Sequence, residues 1–364
     1  MSAARELLQA RGLVVRRGGA EVLTIPEFCL HERESVALIG PNGAGKSTML
    51  LALASLLKPS AGEISFLGSP VIASSGDTSY RRRIAMVFQE PLLFDATVFD
   101  NVASGLKIRG VPGDEIRRRV GETLERFRID HLAGRSARRL SGGEVQRTSL
   151  ARAFATKPEV VLLDEPFTAL DPPTRHGLML DLAEVMRESG CAAVISTHDQ
   201  MEALRLADRM IVMQGGRVVQ SGTTSEVTAN PVNEFAASFV GMENVFSGVV
   251  VSAGEGVLVL DVAGQHLEVV GSGTPGERVV LCAHPEHVVV TTVDPHHRTS
   301  ARNVFPGKVS RVLQFGAVNK LYLDCGFPLV ASVTSHALQD LGVAAGSRVF
   351  ASFKATSVHI FRKG

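Results

Sequence analysis

Gly40-Pro41-Asn42-Gly43-Ala44-Gly45-Lys46-Ser47-Thr48 decides the reading of this 364-residue chain. It fits the pattern G-x-x-x-x-G-K-[ST], follows an apolar run at 36–39 and leads into a helix-like segment from Thr48, the setting a phosphate-binding loop requires. Three glycines let successive backbone N–H groups turn inward around an anion, and the following helix aims its positive end at the same place. A polyphosphate fits there, with Lys46 reaching the β- and γ-phosphates and Ser47 placing its hydroxyl on Mg²⁺. A glycine-rich turn with an incidental lysine is the plainer alternative, which the flanking strand and helix disfavour.

Further along, Val160-Val161-Leu162-Leu163-Asp164-Glu165 is an apolar strand ending in two carboxylates. That puts both at the carboxyl end of a strand, where open α/β sheets bind ligands. Asp164 is then a candidate for the Mg²⁺ shell and Glu165 for the general base that polarises an attacking water. An acidic pair at a strand end can also merely cap the next helix. Between loop and carboxylates, Leu140-Ser141-Gly142-Gly143-Glu144-Val145-Gln146-Arg147 opens a helix with Ser141 as its cap and Glu144 at the capping-box position.

Together these stretches resemble the ATP-binding cassette (ABC) family, over residues 11–235. Other elements of that family stand in order: Gln89 after the strand at 84–88, Ala169-Leu170-Asp171-Pro172 past the acidic pair, and His198 after the strand at 192–197. The resemblance implies a P-loop α/β cassette at 1–240, with a RecA-like core and a helical subdomain at about 90–150. It also implies that two copies dock head to tail, so that ATP on one Lys46 loop is covered by Ser141, Gly142 and Gly143 of the other. In that arrangement His198 contacts the γ-phosphate, Gln89 senses Mg²⁺ and the water, and Asp171 links the two sites. One element departs from the family pattern: no adenine-stacking aromatic precedes the loop in Val14-Val15-Arg16-Arg17-Gly18-Gly19. An arginine plane could stack instead, or Arg16 and Arg17 are solvated, and weak discrimination against GTP is the expectation.

A net charge of +1 gives no reason to expect nucleic acid as a partner. Cys29, Cys191, Cys282 and Cys325 show no C-x-x-C pairing, which argues against zinc and against a disulfide framework. No run approaches the roughly 20 apolar residues needed to span a bilayer. By resemblance, a separate permease supplies the pore, an extracytoplasmic binding protein feeds it, and the cassette sits on the cytoplasmic face of the membrane. The segment after Gln89, with Leu92, Leu93, Phe94 and Phe99, is where such a permease would dock, although Phe94 and Phe99 are equally readable as core.

After Gly241 the pattern becomes all-β, with β-branched runs at 245–251, 257–262, 266–270 and 279–283 and a second set at 307–314, 320–324, 329–334 and 348–353. This tail, 241–364 with possible halves at 243–292 and 299–362, resembles the OB-like TOBE domain of importer ATPases. Its last part, Ser300-Ala301-Arg302-Asn303-Val304-Phe305-Pro306-Gly307 and Phe353-Lys354-Ala355-Thr356-Ser357-Val358, resembles the Mop-like molybdate- and tungstate-binding barrel. A tetrahedral dianion needs hydroxyl and amide donors and a cation, so Ser300, Arg302, Asn303, Lys354 and Ser357 are the candidates for a regulatory oxyanion site. The alternative is that Ser300 to Asn303 only shape a turn. The histidines His284, His287, His296 and His297 are too loosely spaced to suggest a metal site. The resemblance implies an importer for molybdate or tungstate, with sugar, polyamine, iron or sulfate as rival cargoes.

Overall fold

The computed structural model describes residues 5–71, 78–295, 299–315 and 318–362, so His296 and His297 lie outside the described residues. Two compact units, Met1–Val227 and Thr228–Gly364, divide the chain. The second unit begins ahead of the change in sequence character near 241, because it includes the short helix Glu234–Phe239.

The first unit is built on one ten-stranded sheet. Strands β1 (Glu6–Arg17) and β2 (Ala20–His31) form a hairpin, and Gly18 and Gly19 supply the two successive positive φ angles of its turn. Then come β3 (Ser35–Ile39), β4 (Ala61–Phe66), β5 (Ser69–Pro70), β6 (Ile84–Val87), β7 (Val160–Asp164), β8 (Ala192–Thr197), β9 (Arg209–Gln214) and β10 (Arg217–Thr223). Their order is β5-β4-β1-β2-β10-β9-β3-β8-β7-β6, with β9, β3, β8, β7 and β6 mutually parallel. Strands β7 and β8 are buried on both faces, which is why they read as unbroken apolar runs.

Alternate residues feed two cores. Val160, Leu162 and Val194 face the layer of helix α1 (Lys46–Leu53), packing with Met49, Leu50 and Leu53. Val161, Leu163, Ala193 and Ile195 join the opposite core, which holds residues of α3 (Val98–Ile108), α4 (Gly113–Arg126), α5 (Gly142–Phe154) and α6 (Pro172–Ser189); α2 is the short Ser79–Arg83. Helix α3 forms in the segment after Gln89 because Thr97 caps it and Val98, Val102 and Leu106 fall on one buried stripe. Among the described residues no helix is long and apolar enough to cross a membrane.

The second unit has two five-stranded antiparallel sheets around one core: β13-β12-β11-β14-β20 and β15-β19-β16-β17-β18. The strands are β11 (Asn244–Gly254), β12 (Val257–Val262), β13 (Gln265–Val270), β14 (Arg278–Ala283), β15 (Val289–Thr291), β16 (Asn303–Phe315), β17 (Val318–Asp324), β18 (Pro328–Thr334), β19 (Arg348–Phe353) and β20 (His359–Arg362). The unit is a structural repeat that the two sets of runs only hinted at. Asn244-Val245-Phe246-Ser247-Gly248 opens the first half and Asn303-Val304-Phe305-Pro306-Gly307 the second. The halves exchange their short strands: β20 pairs with β14 in the first sheet, and β15 with β19 in the second. Phe327 stacks edge-on against both Phe246 and Phe305, each at 5.1 Å, so the halves share one aromatic centre.

Candidate active site

Strand β3 ends at Ile39, and the loop 40–45 delivers Lys46 as the first residue of α1. Glycine is obligatory at two points of this loop. A Cβ on Gly40 would lie 2.3 Å from the Met213 carbonyl oxygen, and Gly45 has φ +100° with Gly216 against it. Because Gly45 caps α1 without a side chain and no acid stands in the first turn, the free N–H groups of the helix start have no side-chain cap among the described residues. The strand–loop–helix geometry thus leaves a row of donors and a helix dipole for an anion.

Lys46 is 5% exposed, and its ammonium donates to the carbonyls of Gly40 at 2.7 Å and Pro41 at 3.2 Å. Its third neighbour is Glu165, at 3.3 Å. The Ser47 hydroxyl donates to Asp164 Oδ1 at 3.0 Å, and the Ser196 hydroxyl donates to the same oxygen. Asp164 and Ser196 are register partners at the ends of β7 and β8, so parallel pairing sets this contact.

Glu165 has φ +47°, an uncommon left-handed conformation for a residue with a side chain, and it turns the chain out of β7. Its N–H donates to the Ser196 carbonyl, while Oε2 accepts from the Thr168 hydroxyl at 2.8 Å and lies 2.6 Å from His198 Nδ1. Burial pushes its carboxyl up, but the bonds from Thr168 and His198 and the charge of Lys46 outweigh this and hold it below the usual carboxylate value. His198 is held in turn by its loop: Asp199 and Thr197 bond to Glu202, Arg175 or each other, and Arg175 joins this loop to α6. Thr168, Ser196 and Arg175 carry no motif of their own. Only the pairing of β7 with β8 and the turn at Glu165 reveal them.

Gln89 lies two residues past β6 and is exposed. Ser141 caps α5 in a full capping box: its N–H donates to Glu144 at 2.7 Å and its hydroxyl accepts from the Glu144 N–H at 3.4 Å. That bond to the Ser141 N–H holds the Glu144 carboxyl below its ordinary value. The N-terminus of α5 opens on a groove of about 650 Å³ that Ser141, Gly142, Gly143 and Asp171 line together. Asp171 caps α6 by accepting from Thr174 N at 3.1 Å, and a Cβ on Gly143 would sit 2.6 Å from Thr174. The structure therefore gathers Lys46, Ser47, Asp164, Glu165 and His198 at the loop of α1 and Ser141, Gly142, Gly143 and Asp171 at the start of α5, and among the described residues no hydrogen bond joins Gln89 to either place. Arg16, the candidate adenine platform, is tied to Glu21 at 2.7 Å on the β1–β2 hairpin.

In the tail, residues 300–303 and 354–357 leave the same end of the β16–β19 pair, since Asn303 is paired with Phe353. Ser300 and Lys354 are exposed, and Ser357 is half-buried with its N–H on the Lys354 carbonyl. Asn303, an oxyanion candidate, acts in this structure as a clamp. It is 1% exposed, and its amide bonds both the N–H and the C=O of Glu268, each at 2.8 Å, leaving it committed to the backbone. The repeat shows the same device in the other half, where Asn244 bonds the N–H and C=O of Val330. Arg302 pairs with the Glu268 carboxylate at 3.1 Å.

The family described as ABC transporter matches residues 23–168, and the TOBE domain matches residues 299–360. The molybdate/tungstate import ATP-binding protein WtpC of Pyrococcus horikoshii is 38% identical over 339 residues, 92% of this chain and 94% of that protein. This chain belongs to the ATP-binding subunits of ABC importers. The spermidine/putrescine import ATP-binding protein PotA of Ruegeria pomeroyi is also near, 33% identical over 94% of this chain and 92% of its own length. Among solved structures, cbiO1 of Clostridium perfringens, part of the cbiONQ ABC transporter complex, matches with 35% identity and a TM-score of 0.58 over 62% of this chain and 92% of that one. A dimeric bacterial ABC transporter cassette matches with 30% identity and a TM-score of 0.55 over 60% of this chain and 99% of that one. As an importer ATP-binding subunit of this family the chain is an ATPase.

Proposed function

We infer that this importer ATPase hydrolyses Mg²⁺-ATP between two head-to-tail copies and powers uptake of molybdate or tungstate through a separate permease, as a peripheral subunit on the cytoplasmic face of the membrane. The observation that carries the catalytic reading is the hydrogen-bonded cluster of Lys46, Glu165 and His198 beside an uncapped helix start. Ser47 and Asp164 offer hard oxygen donors within 3.0 Å of each other, a set that suits Mg²⁺, with Gln89 as a further oxygen ligand. When bound, Mg²⁺ supplies charge neutralisation on the β- and γ-phosphate oxygens. Lys46 exchanges the Gly40 and Pro41 carbonyls for those phosphates, and this also loosens its hold on Glu165. The freed carboxylate accepts a proton from the attacking water, while His198 orients Glu165 and meets the γ-phosphate. Ser141, Gly142 and Gly143 of a second copy close over the nucleotide, and Asp171, in the same groove, carries the signal between the sites.

Two apolar side chains support a permease contact at the segment after Gln89. Leu92 is 71% and Phe94 57% exposed, whereas Phe99 packs on the core. Phe94 is held in place: Asn101, fully buried, bonds both its N–H and its C=O, and Arg152 lies 5.8 Å over its ring. Such rigid exposed anchors fit the insertion of a partner helix.

The WtpC likeness favours an oxyanion cargo. The PotA likeness, together with an Asn303 committed to the backbone and a Glu268 carboxylate beside Arg302, favours a second reading, a polyamine importer with a structural tail. Calorimetry of the full chain with tungstate, molybdate, sulfate and spermidine, combined with uptake of each cargo by the chain reconstituted with its permease in vesicles, decides between them. Tungstate or molybdate uptake is expected, and spermidine uptake without oxyanion uptake overturns the cargo.

A further inference from the structure

A cluster with metal-ligating chemistry sits in the first unit on the hairpin of β1 and β2, at residues with no part in nucleotide binding. Glu6, Cys29 and His31 each point one donor atom into a common space, and the three atoms lie within 4.8 Å of one another. Strand geometry explains the meeting. Cys29 and His31 are two residues apart on β2 and so share a face, and Glu6 is the cross-strand partner of His31. The register shift between Glu6 and Leu8 sets this end of β1 against His31.

The histidine is oriented for ligation. Its Nδ1 lies 3.0 Å from Glu34 Oε2, and its Nε2 faces the Cys29 sulfur at 3.8 Å. A carboxylate on one ring nitrogen fixes the tautomer that leaves the other nitrogen's lone pair for a cation. Glu34 is itself fixed, since Arg209 bonds its second oxygen at 2.6 Å and also the Cys29 carbonyl at 2.9 Å. Tetrahedral zinc bonds of about 2.3 Å to sulfur and 2.0 Å to nitrogen would separate these two donors by about 3.5 Å. The observed 3.8 Å between sulfur and Nε2 is within reach of that, and the exposed Glu6 carboxylate can swing inward to complete three protein ligands.

We propose that Cys29 Sγ, His31 Nε2 and the Glu6 carboxylate form a binding site for a borderline divalent transition-metal ion of the zinc class, with Glu34 holding His31 and the fourth position open to water. Thiolate, imidazole and carboxylate together select zinc or cobalt over magnesium or calcium, which take oxygen alone. The ion ties the first residue of β1 to the last residues of β2. Glu34 leads directly into β3, whose other end carries the phosphate loop, so the site is anchored to the strand that supports the nucleotide. The spacing C-x-H on a strand lies outside the C-x-x-C patterns by which zinc sites are read from sequence.

The test uses the full chain, stripped with chelator and free of nucleotide, so that the Mg²⁺ site does not compete. Cobalt(II) is the spectroscopic probe, because a thiolate ligand gives it a charge-transfer band that oxygen sites lack, and zinc is titrated by calorimetry. One equivalent of cobalt with that band is expected, with the band absent in Cys29→Ser. Zinc affinity is expected to fall at least tenfold in His31→Gln and in the exposed variant Glu6→Gln, and about tenfold in Glu34→Gln, where only the orientation of His31 is lost. Zinc should also raise the unfolding midpoint of the native chain and not that of Cys29→Ser. A cobalt complex without the thiolate band, or a band that survives in Cys29→Ser, overturns the proposal. So does zinc affinity unchanged in Glu6→Gln and Glu34→Gln, whose exposed or conservative changes keep the fold.

Discussion

The phosphate loop and the tail segment Ser300-Ala301-Arg302-Asn303 both read as places for an anion, and folding treats them in opposite ways. In the loop the donors are backbone N–H groups at a helix start that no side chain caps. In the tail the donors are side chains, and two of them are engaged: Asn303 on the backbone of Glu268 and Arg302 on its carboxylate. A site built from backbone keeps its donors because the glycines fix the geometry locally. A site inferred from side chains depends on neighbours that the motif does not contain.

The sharpest break of this contrast is Glu165→Gln. Turnover measured by phosphate release should fall about 10²- to 10⁴-fold, the range of a lost general base, while ATP still binds. Retained turnover would remove Glu165 from the base role and leave the loop an anion site without its chemistry. Next in size are the matched pair Asn303→Ala and Asn244→Ala. Each removes two bonds to a part-buried strand backbone and should destabilise the tail by about 2 kcal/mol, read from denaturant midpoints. If Asn303→Ala instead abolished tungstate binding at unchanged stability, the asparagine would be a ligand after all and the contrast would collapse.

A smaller effect is expected from Glu268→Gln, which frees Arg302. Where the tail binds tungstate, affinity should rise by roughly threefold to tenfold at low salt, and less at high salt because the Arg302–Glu268 pair is exposed. An unchanged affinity would show that Arg302 does not meet the anion. The smallest expectation concerns pH. The folded-state pKa of Glu165 is depressed, so its contribution to stability is present above the unfolded pKa and is lost as pH falls through the folded one. The stability difference between the native chain and Glu165→Gln should therefore shrink as the medium is acidified below the ordinary glutamate range. A difference that stays constant through that range would mean that Lys46, Thr168 and His198 do not favour the ionised form.

Much of the nucleotide site was legible because its parts are local. Gly40 to Thr48, Asp164 with Glu165, and Ser141 with Glu144 each announce a strand end or a helix start through glycine, a capping residue or an acid at a set offset. Thr168 and Ser196 were not legible: they matter only because β7 lies beside β8 in a particular register. The segment after Gln89 divided, with Phe94 outside and Phe99 on the core, since the cap at Thr97 sets the phase of α3 and apolar content alone does not. In the tail the strands were legible from alternation, but the exchange of β15 and β20 between halves was not. Those strands are short, and their partners belong to the other half.

Order along the chain thus established the cassette, its phosphate loop, its acidic strand end and the all-β character of the tail, because each rests on backbone geometry that a few adjacent residues dictate. Tertiary structure alone decided which side chains are free to act. It placed Lys46 on Glu165, brought Ser47 to an aspartate 117 residues away, and engaged Asn303 with a backbone 35 residues away. It also set Glu6 beside Cys29 and His31, residues that no spacing pattern in the sequence brings together. The reason is physical: a turn or a cap is a contact between near neighbours, whereas the availability of a polar side chain is settled by whichever partner the fold brings within 3 Å or so of it.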